Sequence, residues 1–123
     1  MSAKKIMIAD DEEDMRDVTR MILEAEGYTV VTAYDGLDAL SMAEAEMPDL
    51  LLLDLMMPVM SGLDVARKMK ESATLSAIPI IMLSAAGQAD SVQAALAAGA
   101  QDFLVKPFEP TLLMRRVAET LAG

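Results

Sequence analysis

Four separate points in the chain set a charged or reactive side chain directly after a run of apolar residues. Asp10 and Asp11 follow Lys5-Ile6-Met7-Ile8-Ala9, and Asp54 follows Leu50-Leu51-Leu52-Leu53. Ser84 closes Pro79-Ile80-Ile81-Met82-Leu83, and Lys106 closes Asp102-Phe103-Leu104-Val105. An acid pair, a lone acid, a hydroxyl and an ammonium are thus available if these segments lie side by side. Clustered carboxylates repel and raise one another's pKa unless a cation sits among them. With no histidine and no cysteine in the chain, that cation should be a hard, oxygen-bound one. Mg²⁺ fits, with Mn²⁺ as an alternative, because it is held by one or two carboxylates and keeps waters for a phosphate to replace. A carboxylate beside such a cation can attack phosphorus to form an aspartyl phosphate. The hydroxyl of Ser84 and the ammonium of Lys106 would then neutralise and orient the phosphoryl oxygens.

Taken one at a time these residues have plainer roles: Asp54 a cap, Ser84 a turn residue, Lys106 a lysine with its stem on the surface and its head in water. It is their coincidence at four strand ends that points to a site. The segments that must position them alternate regularly. Short apolar or β-branched runs at Lys5–Ala9, Tyr28–Ala33, Leu50–Leu53, Pro79–Leu83 and Asp102–Val105 read as strands. Between them the spacing predicts helices. Met15, Val18, Ile22 and Ala25 mark the first, ending at Gly27, and Leu37, Leu40, Ala43 and Met47 mark the second, capped by Asp35 and stopped by Pro48. Leu63, Ala66 and Met69 mark the third, after a turn or close approach at Gly62. Val92 and Leu96 give the fourth a thin apolar stripe ending at Gly99, and Leu113, Val117 and Leu121 line the last, opened by Pro110. Five strands alternating with five helices imply an open, mostly parallel α/β sheet covered on both faces. Ligands of such sheets gather at the carboxyl ends of the strands.

The 123 residues, 54% hydrophobic, suit one domain with a two-sided core. A formal charge of −10 argues against direct nucleic-acid binding, which depends on lysine and arginine. Of the acidic run Asp10 to Asp14, Glu12, Glu13 and Asp14 fit a solvated helix start. No apolar stretch approaches membrane-spanning length and no signal peptide precedes the first strand, so a cytoplasmic location without membrane attachment is expected.

The combination of Asp10-Asp11, Asp54 with Pro58 and Gly62, Ser84-Ala85, and Lys106-Pro107-Phe108 resembles the response-regulator receiver domains of two-component signalling, along essentially the whole chain. The resemblance implies a single receiver domain over residues 1–123, with the flavodoxin-like fold and strand order 2-1-3-4-5. It implies that Asp54 is the phosphoacceptor, that Asp11 holds Mg²⁺ directly and Asp10 mainly through water, and that Met56 contributes its backbone carbonyl to the metal. Ser84 matches the switch hydroxyl, Ala85 its small neighbour, Phe103 the switch aromatic, and Lys106 the lysine that pairs with a phosphoryl oxygen. The Lys106–Pro107 bond is expected to be cis.

The implied function is a phosphorylation-activated switch. A histidine kinase or histidine phosphotransfer protein donates the phosphoryl group, and a downstream protein reads the face made by the fourth helix, fifth strand and fifth helix. Such a chain catalyses only its own phosphorylation and dephosphorylation. Monomer or weak, phosphorylation-dependent dimer is expected; the fourth helix, Asp90 to Ala98, lacks the arginine or lysine usual in dimer-forming relatives, which weakens a DNA-binding version, although Arg115 and Arg116 remain on the last helix. Two departures from the chemotaxis receiver concern the lifetime of the phosphate. Met56 replaces a polar residue and Ala86 replaces an acid, both flanking the path of attacking water. Two alternatives follow: an N-terminal receiver of a longer transcription factor or output enzyme, and an aspartyl-nucleophile phosphatase. The phosphatase is disfavoured because Met56 stands where a second aspartate is normal.

Overall fold

A computed structural model describes residues 3–85 and 89–123. The elements are β1 (Lys5–Ala9), α1 (Glu13–Ala25), β2 (Thr29–Ala33), α2 (Gly36–Glu46), β3 (Leu50–Asp54), α3 (Gly62–Glu71), β4 (Ile80–Ser84), α4 (Ala89–Ala97), β5 (Asp102–Val105) and α5 (Pro110–Ala122). All strands pair in parallel in the order β2-β1-β3-β4-β5. Strand order and alternation are therefore those expected from the sequence. Among the described residues no helix is long and apolar enough to cross a membrane.

The leucine run is explained by the pleat. Successive side chains of a strand point to opposite faces, so a strand covered on both sides must be apolar at every position. Leu51 and Leu53 enter the core that includes Ala39, Ala43, Val65, Met69 and Ala95, on the α2, α3 and α4 side. Leu50 and Leu52 enter the other, with Leu23, Leu113 and Val117 from α1 and α5. All four leucines are fully buried. Each contributes roughly 1.5–3 kcal/mol of burial, which fixes β3 as the central support for the aspartate at its end.

Three helices turn differently from the sequence expectation. On α1, Val18 is half exposed and Ala25 is exposed, while Thr19 and Leu23 are buried with Met15 and Ile22 partly covered. On α2, Leu37 and Met47 are about half exposed, and Gly36, Ala39 and Ala43 form the buried face. On α4, Leu96 is 47% exposed, while Ala95 and, just past the helix end, Ala98 face the core. On α2 the reason is close approach: a Cβ on Gly36 would lie 2.5 Å from the Met60 carbonyl oxygen, so α2 seats directly against the loop before α3. Counting large apolar residues misplaces a face built from small ones.

The ends of the helices match their chemistry. α1 closes with Gly27 at φ 94°, where the Gly27 and Tyr28 N–H groups donate to the Glu24 and Leu23 carbonyls at 3.0 and 3.3 Å. Asp35 and Ser61 cap α2 and α3 by accepting from the Asp38 and Asp64 N–H groups. Gly62 is a true close approach: a Cβ there would strike the Asp54 carbonyl oxygen and come within 2.9 Å of Leu55 Cα. Its N–H donates to the Leu55 carbonyl at 2.9 Å, which folds the loop from Met56 to Ser61 back over the end of β3. Gly62→Ala is expected to cost about 1–3 kcal/mol of stability, as overpacking against fixed backbone does. A lowered urea midpoint at unchanged m-value would register it.

Candidate functional site

The parallel register brings the sequence-selected residues to one end of the sheet. Asp10 follows the last residue of β1, and its N–H donates to the Ala33 carbonyl of β2 at 3.1 Å. Asp54 is the last residue of β3, and Ser84 the last of β4. Two neighbouring links tie these ends together: Leu55 N–H to the Leu83 carbonyl at 2.7 Å, and Lys106 N–H to the Ser84 carbonyl at 2.6 Å. Lys106 is thereby placed beside the two acids although it lies 96 residues from Asp10 in sequence.

The side chains meet closely. Lys106 Nζ donates to Asp10 Oδ2 at 2.9 Å and lies 3.4 Å from Asp54 Oδ2. Asp54 Oδ1 accepts from the Met56 N–H at 3.4 Å. Asp10 Oδ1 accepts from the Glu12 N–H at 2.9 Å, and so serves the start of α1, where the N-cap residue Glu12 makes no side-chain cap bond of its own. Asp10, Asp54, Ser84 and Lys106 are buried, whereas Asp11 is exposed. Carboxylate oxygens of Asp10, Asp11 and Asp54 lie within 4.8 Å of one another, the one such acidic group among the described residues. All donors are hard oxygens, two from buried residues with an ammonium already drawn against them. That donor set fits Mg²⁺ and has nothing to offer a soft metal.

The other expected residues lie around this centre. Met56 is 72% exposed, and Ala85 is exposed beside Ser84. Phe103 pairs with Met82 within the sheet and is half-buried against the α3 and α4 side, away from the acids. Ala86 lies outside the described residues. The Lys106–Pro107 bond is cis. Two neighbours were not singled out from the sequence. Glu12, expected as a plain solvated helix start, is exposed but brings Oε1 to 4.0 Å from Lys106 Nζ. Arg16 donates from Nη1 to the Asp10 carbonyl at 2.7 Å. The one sequence signal for Arg16 was its place a single turn into the helix that follows the acid pair.

A family model described as the response regulator receiver domain matches residues 6–118. The chain is 39% identical over 118 residues to the alkaline phosphatase synthesis transcriptional regulatory protein PhoP of Bacillus subtilis, covering 96% of this chain and 48% of that protein. It is 43% identical over 118 residues to the response regulator PleD of Caulobacter vibrioides, covering 95% of this chain and 26% of that one. It spans about half or less of the length of these curated relatives. Among solved structures, the chemotaxis protein CheY4 of Vibrio cholerae superposes with a TM-score of 0.92 at 31% identity, covering 97% of this chain and 99% of that one.

The electrostatics of the cluster are unequal. Burial is the largest influence on Asp54, and with the nearby Asp10 charge it outweighs the attraction of Lys106 and lifts the carboxyl from 3.8 to about 6. For Lys106, burial pulls the pKa down, but the hydrogen bond it donates to Asp10 and the charges of Asp54 and Asp10 outweigh it, leaving the pKa raised and the ammonium protonated at neutral pH. An acid with a higher pKa folded than unfolded holds its proton longer in the native state. The contribution of Asp54 to stability therefore falls as pH rises from about 4 through about 6. In metal-free buffer, Asp54→Asn should remove that decline. Its unfolding free energy should gain on the wild type by of order 2 kcal/mol between about pH 4 and about pH 7, read from urea titrations at the two pH values. An unchanged difference between variant and wild type would contradict the charge balance described.

Proposed function

The chain belongs to the response regulator receiver domain family, a phosphorylation-activated signalling module, and from that premise we propose that Asp54 is the residue that receives the phosphoryl group. The observation that carries this is the meeting of Asp10, Asp11, Asp54 and Lys106 at the end of the sheet, with Ser84 closing the adjacent strand. An Asp54 carboxylate oxygen attacks phosphorus while the bond from phosphorus to the donor's leaving atom breaks, giving an aspartyl phosphate and the free donor. Bound Mg²⁺ would supply neutralisation of developing negative charge. The residues that would hold it are Asp10, Asp11 and Asp54, with the Met56 carbonyl completing the protein's share. Lys106 moves with its charge intact from the carboxylates it now contacts to a phosphoryl oxygen, and the Ser84 hydroxyl donates to another.

A phosphohistidine on a kinase or phosphotransfer protein is the donor class that suits this acceptor. The fold then acts through populations: Ser84 and Phe103 bias a pre-existing arrangement of α4, β5 and α5 that a downstream protein reads. The face of α4 is made of alanines, whose small contact area keeps the cost of shifting the helix low. Residues 1–123 act as one receiver unit, which in the relatives occupies only part of a longer protein.

Incubation with acetyl phosphate and Mg²⁺ should add the mass of one phosphoryl group to the intact protein. Chelation of the metal or Asp54→Asn should abolish that gain; a gain that survives Asp54→Asn would put the acceptor elsewhere. Met56, exposed at the rim, leaves no polar side chain to guide attacking water. Met56→Asn is therefore expected to alter the decay rate of the labelled species severalfold while leaving the labelling site unchanged, as followed by intact mass over time.

A further inference from the structure

Asp11 is the exposed member of the acidic cluster, and among the described residues no hydrogen bond orients its carboxylate. Asp10, by contrast, is fastened at every polar group. Its N–H donates to Ala33, its carboxylate oxygens accept from Glu12 and Lys106, and its carbonyl accepts from Arg16 Nη1 at 2.7 Å. The carbonyl of Asp10 and the N–H of Asp11 belong to one rigid peptide plane. A charge-assisted bond to that carbonyl therefore fixes the orientation from which the Asp11 side chain departs. Arg16 is itself anchored one turn into α1, where its N–H donates to the Glu12 carbonyl at 3.0 Å, and its side chain is partly buried.

We infer that Arg16 is a positioning residue for the metal site, holding the Asp10–Asp11 peptide so that the Asp11 carboxylate stands within reach of Asp10 and Asp54. The inference rests on the proposed role of the three aspartates as Mg²⁺ ligands. Its physical content is a matter of sign. As a charge alone, a guanidinium beside a cation site opposes cation binding, and removing it should tighten Mg²⁺. As a clamp on the loop, removing it should weaken Mg²⁺, by the roughly tenfold to hundredfold typical of groups that orient ligands without touching the metal.

The test is Mg²⁺ titration by calorimetry of the wild type, Arg16→Met, Arg16→Lys and Asp11→Asn. Arg16→Met keeps the packing stem, and Arg16→Lys keeps the charge while losing the planar fork. The expected result is a Mg²⁺ dissociation constant raised about tenfold in Arg16→Met and partly rescued in Arg16→Lys, with the metal-free melting temperature little changed. Unchanged or tighter binding in folded Arg16→Met overturns the inference. Should Arg16→Met fail to fold, Arg16→Lys decides: wild-type affinity in it would overturn the clamp as drawn. A wild type that binds no Mg²⁺, or an Asp11→Asn variant that binds it normally, would instead overturn the ligand assignment beneath it.

Discussion

The constraint on which the molecule depends is the cost of burying like charges. Asp10 and Asp54 sit almost wholly out of water and face each other across Lys106, with Asp11 closing the group from outside. One ammonium cannot neutralise three carboxylates. It lies closer to Asp10 than to Asp54, and burial together with the Asp10 charge raises the Asp54 carboxyl in spite of it. A fold tolerates such an arrangement only if the surrounding scaffold is rigid and well packed, because the cluster itself opposes folding.

The scaffold meets that demand through the sheet. β3 and β4 are buried at every position, and like β1 they feed side chains alternately into two cores. The same parallel hydrogen bonding that builds the sheet continues one residue past the strands. Leu55 to Leu83 and Lys106 to Ser84 are extensions of the ladder that carry functional residues at their ends. Precision at the site is thus a by-product of strand register, while the loop from Met56 to Ser61 is folded back by the Gly62 contact.

Much of this was legible in the sequence, and the reasons differ by residue. Four leucines in a row can be satisfied only by a strand covered on both faces, so the position of Asp54 followed from pattern. Asp10, Asp11, Ser84 and Lys106 were readable for the same cause, since each closes an apolar run. The helix faces were less legible. Val18, Leu37 and Leu96 sit at helical spacing yet turn outward, while the buried positions are Thr19 and Leu23 on α1, Gly36, Ala39 and Ala43 on α2, and Ala95 on α4, most of them small. Periodicity weights bulk, whereas close packing here selects its absence. Arg16 was illegible for a further reason. It acts on a backbone carbonyl, and any sequence offers one at every position.

The charge count explains why such a costly cluster can serve as a switch. Without a cation, burial and the nearby Asp10 charge outweigh Lys106 and raise the Asp54 carboxyl to about 6, and three carboxylates share one ammonium. A divalent cation held by Asp10, Asp11 and Asp54 would offset that excess of negative charge and favour the carboxylate form of Asp54. Under the proposed role of Asp54, phosphorylation would replace its carboxylate charge with a phosphoryl dianion, a net change of about one unit that Lys106 could follow by moving a short distance from one oxygen to another. On that proposal the driving force for a conformational change would not be bulk repulsion. It would be the redirection of specific donors, the Ser84 hydroxyl at the end of β4 and the Lys106 ammonium just past β5.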